Sequence, residues 1–179
     1  MKKADLTVKI KHLKFKNPVT VASGTFGITD EYRAYVDYSK LGAVIAKTVT
    51  VRPRVGNPMP RICETPSGMI NAIGLQNKGI DDFLAHKIPS MKKVTCPFIV
   101  SIAGETTKDF SILASKLQKH KKDIAMLEVN LSCPNVEAGG ASFMKKQKRI
   151  LDVIKAIRDE TDMVLMAKLS PELGDVLTI

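Results

Sequence analysis

Polar and apolar positions along this chain alternate with two different periods. Leu6-Thr7-Val8-Lys9-Ile10 alternates strictly, and Leu13-Lys14-Phe15 repeats the alternation, which predicts a short N-terminal hairpin. Apolar runs of strand length follow at Pro18–Ala22, Gly42–Ala46, Pro97–Ile102, Ile124–Val129 and Met163–Ala167. Between them lie segments with helical spacing. Asp30–Tyr38 predicts a modest helix, and Ile80–Ile88 a second with Asp81 and Asp82 in its first turn. Thr106 or Thr107 caps a third that runs to about His120, with Phe110, Leu113, Ala114 and Leu117 on one face. Phe143–Arg158 is a fourth, striped by Ile150, Val153, Ile154 and Ile157. From Val51 to Asn77 the chain reads as one long loop, a length that is usually functional.

Continuous apolar strands alternating with helices predict an α/β fold with a parallel sheet covered by helices. A doubly wound sheet and a (β/α)₈ barrel both satisfy the pattern. The dinucleotide-binding version wants Gly-x-Gly-x-x-Gly after a strand, and Ser23-Gly24-Thr25-Phe26-Gly27 does not supply it. No linker, repeat or low-complexity tract interrupts the 179 residues, so a single domain over residues 1–179 is expected.

Composition changes this picture little. Hydrophobic residues make up 44% and charged residues 26%, an ordinary globular balance. Cys63, Cys96 and Cys133 are scattered, and no pair has metal-site spacing. A metal site or disulfide framework is therefore not expected, and a reducing cytoplasm fits. The N-terminus leads into alternating residues and not an apolar signal segment, and no apolar run reaches spanning length. The net charge of +10 is carried largely by lysines on segments read as outer helix faces. With 5% aromatics and no Trp, stacking platforms for nucleic acid are scarce, so no nucleic-acid partner is expected. An anionic small substrate or an acidic partner subunit would use the same field.

The chemistry-bearing side chains fall at strand ends: Ser23, Lys47-Thr48, Ser101, Asn130 with Cys133, and Lys168-Leu169-Ser170. In barrels of parallel strands these ends converge on one face, where chemistry is done. Two lysines so close to a core call for partners. A flavin would supply one, because its N1–C2=O edge becomes negative on reduction. The bland alternatives are lysines that snorkel to solvent and a cysteine that acts as a small buried hydrophobe.

Seven blocks, in unbroken order, give the chain a family likeness. They are Ala22–Gly27, Lys47–Thr50, Gly56–Pro58 with Pro60-Arg61, Glu64–Pro66 with Gly68-Met69, Asn71–Asn77, Asn130–Asn135 and Ala167–Pro171. Together they resemble dihydroorotate dehydrogenase, and in particular the catalytic subunit of its NAD-linked class. The related dihydropyrimidine dehydrogenases share Asn-Leu-Ser-Cys-Pro and are the nearest enzymatic alternative. The resemblance implies an FMN-holding (β/α)₈ barrel of the TIM family, with about five of its eight units present after the N-terminal hairpin. It implies oxidation of dihydroorotate to orotate in pyrimidine biosynthesis. Cys133 would be the base. Ser23, Lys47, Thr48, Ser101, Asn130 and Lys168 would contact FMN. Lys47, Asn71, Ile73, Gly74, Leu75, Asn130 and Asn135 would contact substrate. It also implies a homodimer and a partner subunit carrying FAD and a [2Fe–2S] cluster that passes electrons to NAD.

Two departures stand out. The family usually has Asn where Ser101 stands, which replaces a carboxamide by one hydroxyl. The sequence also stops at Ile179, whereas a full barrel takes about 250 residues and builds its phosphate site after strands seven and eight. A piece of a longer protein, a barrel completed by a second chain, and an inactive half-barrel serving as an assembly module all fit that length.

Overall fold

A computed structural model describes residues 4–27, 31–91, 93–132 and 147–170. The N-terminal hairpin forms as expected: β1 (Val8–Ile10) pairs antiparallel with β2 (Leu13–Phe15), Val8 opposite Phe15. The main sheet has four parallel strands, β3 (Val44–Ile45), β6 (Phe98–Ile102), β7 (Met126–Asn130) and β8 (Val164–Lys168), in that spatial order. Within this sheet the spatial order follows the order along the chain. This is the right arrangement for βα units that wind in one direction.

Strand periodicity divides the side chains between two cores. Val44, Val100, Ile102, Leu127, Val129 and Leu131 enter the larger cluster with the helices. The alternate residues Ala43, Ile45, Ile99, Met126 and Val164 form a smaller cluster with Phe15, packed against Val8, Leu13 and Met166. The hairpin therefore caps the N-terminal end of the sheet's inner face. Because both faces of β3, β6 and β7 are buried, these strands read as continuous apolar runs.

Helix α1 comprises Gly79–Asp82, a wide π turn at Phe83–Lys87, and Ile88–Met91. The wide turn sits just ahead of Pro89, which offers no N–H and crowds the carbonyl four residues back. Helix α2 (Thr107–Gln118) buries Phe110, Leu113, Ala114 and Leu117. Its N-terminus carries a full capping box: Thr106 Oγ1 accepts from the Asp109 N–H, and Asp109 accepts from the Thr106 N–H at 3.0 Å. Such a cap contributes about 1 kcal/mol. Helix α3 (Gln147–Glu160) buries Ile150, Val153 and Ile157. No helix among the described residues is long and apolar enough to cross a membrane.

Three expectations need correction. Pro18–Ala22 is not a regular strand; it contributes a single parallel bridge, Thr20 to Ala43. The helix expected at Asp30–Tyr38 is a turn closed by Val36 N–H to the Tyr32 carbonyl, then a short 3-10 turn at Tyr38–Lys40. Aromatic and β-branched residues are weak helix formers, and Asp37 accepts a hydrogen bond from Ser39 N–H that starts the tighter turn. The long loop contains an antiparallel hairpin, β4 (Ile62–Thr65) with β5 (Gly68–Asn71). Its residues are almost all exposed, so no buried face imposed an alternation on the sequence.

Candidate functional site

The inner face of the sheet is layered. Ile45, Ile99, Met126 and Val164 are opposite one another across the four strands and make an apolar floor. Two residues further on, Ser101, Glu128 and Met166 are in register. At the C-terminal end Asn130 is opposite Lys168. Each step of two residues keeps the side chain on the same face, so the polar groups are stacked above the floor.

Strand β3 contributes to this end through an extra residue. Ala46 N–H donates to the Ile99 carbonyl, and the next ladder bond runs from Val49 N–H to the Ser101 carbonyl. Three steps on one strand match two on the other, which is a bulge at Lys47-Thr48. It lets neighbouring residues serve one site. Thr48 Oγ1 shares a 2.9 Å hydrogen bond with Ser101 Oγ and accepts one from Asn130 Nδ2 at 3.2 Å. Asn130 Oδ1 in turn accepts from the N–H and hydroxyl of Ser132, at 3.2 and 3.0 Å. Thr48, Ser101 and Asn130 are all buried, so these bonds satisfy groups that water does not reach. The chain entering Cys133 is thus tied back to the sheet.

The loop after Thr20 reaches the same place. Ser23 Oγ accepts from Lys168 Nζ at 2.9 Å. Gly24 has φ +85, and a Cβ there would lie 3.4 Å from Lys47 Nζ. The Lys47 N–H donates to the Gly27 carbonyl. Both ammonium groups therefore flank one small-residue loop. Sequence reasoning missed Glu128, which is 2% exposed with its Oε1 3.7 Å from Lys168 Nζ. It is the one acid in that apolar run, and it shares parity with Asn130, a signal that was available.

Of the residues expected to contact substrate, Asn71 ends β5 and is exposed. No hydrogen bond among the described residues joins its side chain to the Thr48–Ser101–Asn130 group. Ile73, Gly74 and Leu75 follow it back towards the sheet, where Leu75 packs on Ala103 just beyond β6. Gly74 has φ +74, and a Cβ would come within 2.7 Å of the Asn57 nitrogen. Leu75 also lies in the left-handed region, at φ 55. Asn77, another residue given no role from sequence, holds this segment. Its Nδ2 donates to the Leu75 carbonyl at 2.7 Å, and its Oδ1 accepts from the N–H groups of Thr50 and Gly79. Cys133 and Asn135 lie outside the described residues. No group of three or more potential metal ligands occurs among the described residues.

Chemically, this end of the sheet presents two ammonium groups, hydroxyls and a carboxamide above an apolar floor. That donor-rich set suits a planar, carbonyl-rich ligand able to carry negative charge.

The profile of the dihydroorotate dehydrogenase family matches residues 5–179. A protein of Geobacter metallireducens named "Dihydroorotate dehydrogenase B (NAD(+)), catalytic subunit" is 46% identical over 177 residues, covering 99% of this chain and 58% of the relative. A protein of the same name from Geotalea daltonii is 47% identical over the same length. The chain thus spans a little over half the length of these relatives. Among solved structures, the Eimeria tenella enzyme in complex with ferulenol superposes with a TM-score of 0.76 at 23% identity, covering 95% of this chain and 53% of that one. The ligand-free form of that enzyme gives 0.72 at 22%. At that identity the likeness shows the fold: the parallel α/β class expected from the strand–helix alternation, in the barrel form that the family resemblance implies. Because that family profile matches nearly the whole chain, the chain belongs to the dihydroorotate dehydrogenase family.

Proposed function

We propose that the protein oxidises dihydroorotate to orotate in pyrimidine biosynthesis, with FMN as cofactor. The observation that carries this reading is the gathering of Ser23, Lys47 and Lys168 with Thr48, Ser101 and Asn130 at one end of the sheet. When bound, FMN supplies the two-electron acceptor that no side chain here offers. The donor set fits it: Lys168 and Lys47 present positive charge where a ligand gains negative charge, and Ser23, Thr48, Ser101 and Asn130 offer hydrogen bonds. Ser101, shorter than the usual Asn, is already engaged by Thr48.

In this reading Cys133 takes the C5 proton of the substrate as its thiolate, the form of a thiol that acts as a base. Asn130, by holding both polar groups of Ser132, fixes the backbone that leads into Cys133. Asn71, Asn135 and the Ile73–Leu75 backbone hold the pyrimidine amides and carboxylate, with Asn77 keeping the Leu75 carbonyl in place. The relatives' name, a catalytic subunit with NAD(+), supports electron delivery through a partner subunit. We assign that partner the FAD and [2Fe–2S] cluster, and we expect a dimer of catalytic chains in the cytoplasm.

The test is direct. Protein incubated with FMN and desalted should retain the flavin absorbance, and anaerobic dihydroorotate should bleach it. Loss of all flavin on desalting overturns the cofactor assignment for this chain. Retained flavin that dihydroorotate leaves oxidised overturns the substrate assignment.

A further inference from the structure

The role of Glu128 is not explained by packing. It lies in the middle layer of the inner face, between the apolar floor and the Asn130–Lys168 layer. Its Oε1 meets no hydrogen-bond donor among the described residues. Its counter-charge is Lys168, 3.7 Å away, and that ammonium already donates to Ser23 at 2.9 Å. Packing alone does not call for a carboxylate here. The neighbouring strand fills the same layer with Met166, and an apolar side chain in place of a buried ion is often neutral or stabilising.

We propose that Glu128 is a positioning residue that holds Lys168 between itself and Ser23 and, through that ammonium, sets the electron affinity of the flavin site. This inference rests on the functional reading above. One ammonium is shared between an uncharged hydroxyl at the loop and a buried carboxylate beneath it. The carboxylate anchors the chain of Lys168 over the inner face and offsets part of its positive field. With the carboxylate neutralised, the whole field of Lys168 acts on the ligand, and negative charge on a reduced flavin becomes more favourable.

The test has two arms. Glu128→Gln keeps the shape and removes the charge. In FMN-loaded protein we expect it to raise the flavin reduction potential by at least a tenfold change in the reduced-to-oxidised ratio, about 30 mV for a two-electron couple. Lys168→Met, which removes the positive field itself, should move the potential the other way. An unshifted or lowered potential in Glu128→Gln, or one that Lys168→Met does not lower, overturns the proposal while dihydroorotate bleaching leaves the functional reading intact. The second arm needs no flavin. Lys168→Met strands the buried carboxylate and should lower the folding equilibrium constant at least tenfold, and adding Glu128→Gln should restore most of it. If Lys168→Met is equally stable with Glu128 or Gln, the pair does not exist and the proposal fails. If the pair is found but the protein takes up no FMN, the pair is structural and the proposal falls with the flavin reading.

Discussion

Replacing Asn77 by Ala is the sharpest probe of how the substrate-side segment is held. The side chain is 9% exposed and makes bonds at both ends of its carboxamide. Oδ1 accepts from Thr50 N–H at 3.2 Å and Gly79 N–H at 2.9 Å. Nδ2 donates to the Leu75 carbonyl at 2.7 Å and to Thr50 Oγ1 at 3.0 Å. Truncation leaves two backbone donors and a carbonyl without these partners, each costing about 1–3 kcal/mol if it stays buried and unmet. Water entering the space left by the side chain recovers part of this, so we expect a net loss of about 3 kcal/mol. With a urea m-value of about 2 kcal/mol/M, the unfolding midpoint should fall by about 1.5 M. The chain contains no Trp, so far-UV circular dichroism is the appropriate probe. Asn77→Asp keeps the acceptor for Thr50 and Gly79 but sets a carboxylate oxygen against the Leu75 carbonyl, so it should not restore the midpoint. A midpoint shift below about 0.3 M for Asn77→Ala would refute the hub assignment, because it falls below the cost of one unmet group.

Other outcomes follow from the same geometry. Gly74→Ala must place a Cβ 2.7 Å from the Asn57 nitrogen at φ +74, and it should cost at least about 2 kcal/mol in urea unfolding and weaken dihydroorotate binding. Cys133→Ser should slow dihydroorotate-driven bleaching by at least about a hundredfold while leaving FMN uptake unchanged, since a hydroxyl is a far weaker base; stopped-flow absorbance reads both. Hydrogen bonds from Lys121 and then Gln118 hold the Asp162 carboxyl below its ordinary range. A folded value below the unfolded one gives stability that is present above the unfolded value and lost as pH falls through the folded one. Asp162→Asn should therefore flatten the acid limb of a Tm-versus-pH curve, by a small amount because the pair is exposed to solvent.

Burial decided which parts of this fold were legible in the sequence. Strands β6 and β7 have both faces covered, so apolar runs marked them to within two residues, and β8 was marked as closely although only its Val164 is buried. The capped amphipathic helix α2 was legible for the same reason, from Thr106 and its stripe. The hairpin of β4 and β5 carries no such record, because neither of its faces is pressed on a core. The strand expected at Pro18–Ala22 has the right composition, yet it gives only one bridge, and Val19 is exposed. The strand-end rule pointed to Ser23, Lys47, Thr48, Ser101, Asn130 and Lys168, which the fold brings to one end of the sheet, although the segment before Ser23 is not a regular strand. It did not find Asn77, whose role depends on a loop folding back to Thr50, a contact across 27 residues.

What makes the site is the combination of a fixed parity with one departure from it. Along β7 every second residue faces inward, so Met126, Glu128 and Asn130 run from apolar floor to buried charge to carboxamide. A one-residue slip of that strand would turn all three outward and bring Leu127 and Val129 inward, which the two cores forbid. Strict parity on β3 would have sent Thr48 to the opposite side from Lys47. The extra residue between Ala46 and Val49 removes that conflict, and Thr48 reaches both Ser101 and Asn130 while Lys47 stays beside Gly24. The bulge therefore joins one hydroxyl network to one charged loop on a rigid sheet. Deleting Thr48 would restore a regular ladder and leave the buried hydroxyl of Ser101 without its partner, whereas deleting Lys47 would keep the hydroxyl on the inner face and lose the ammonium.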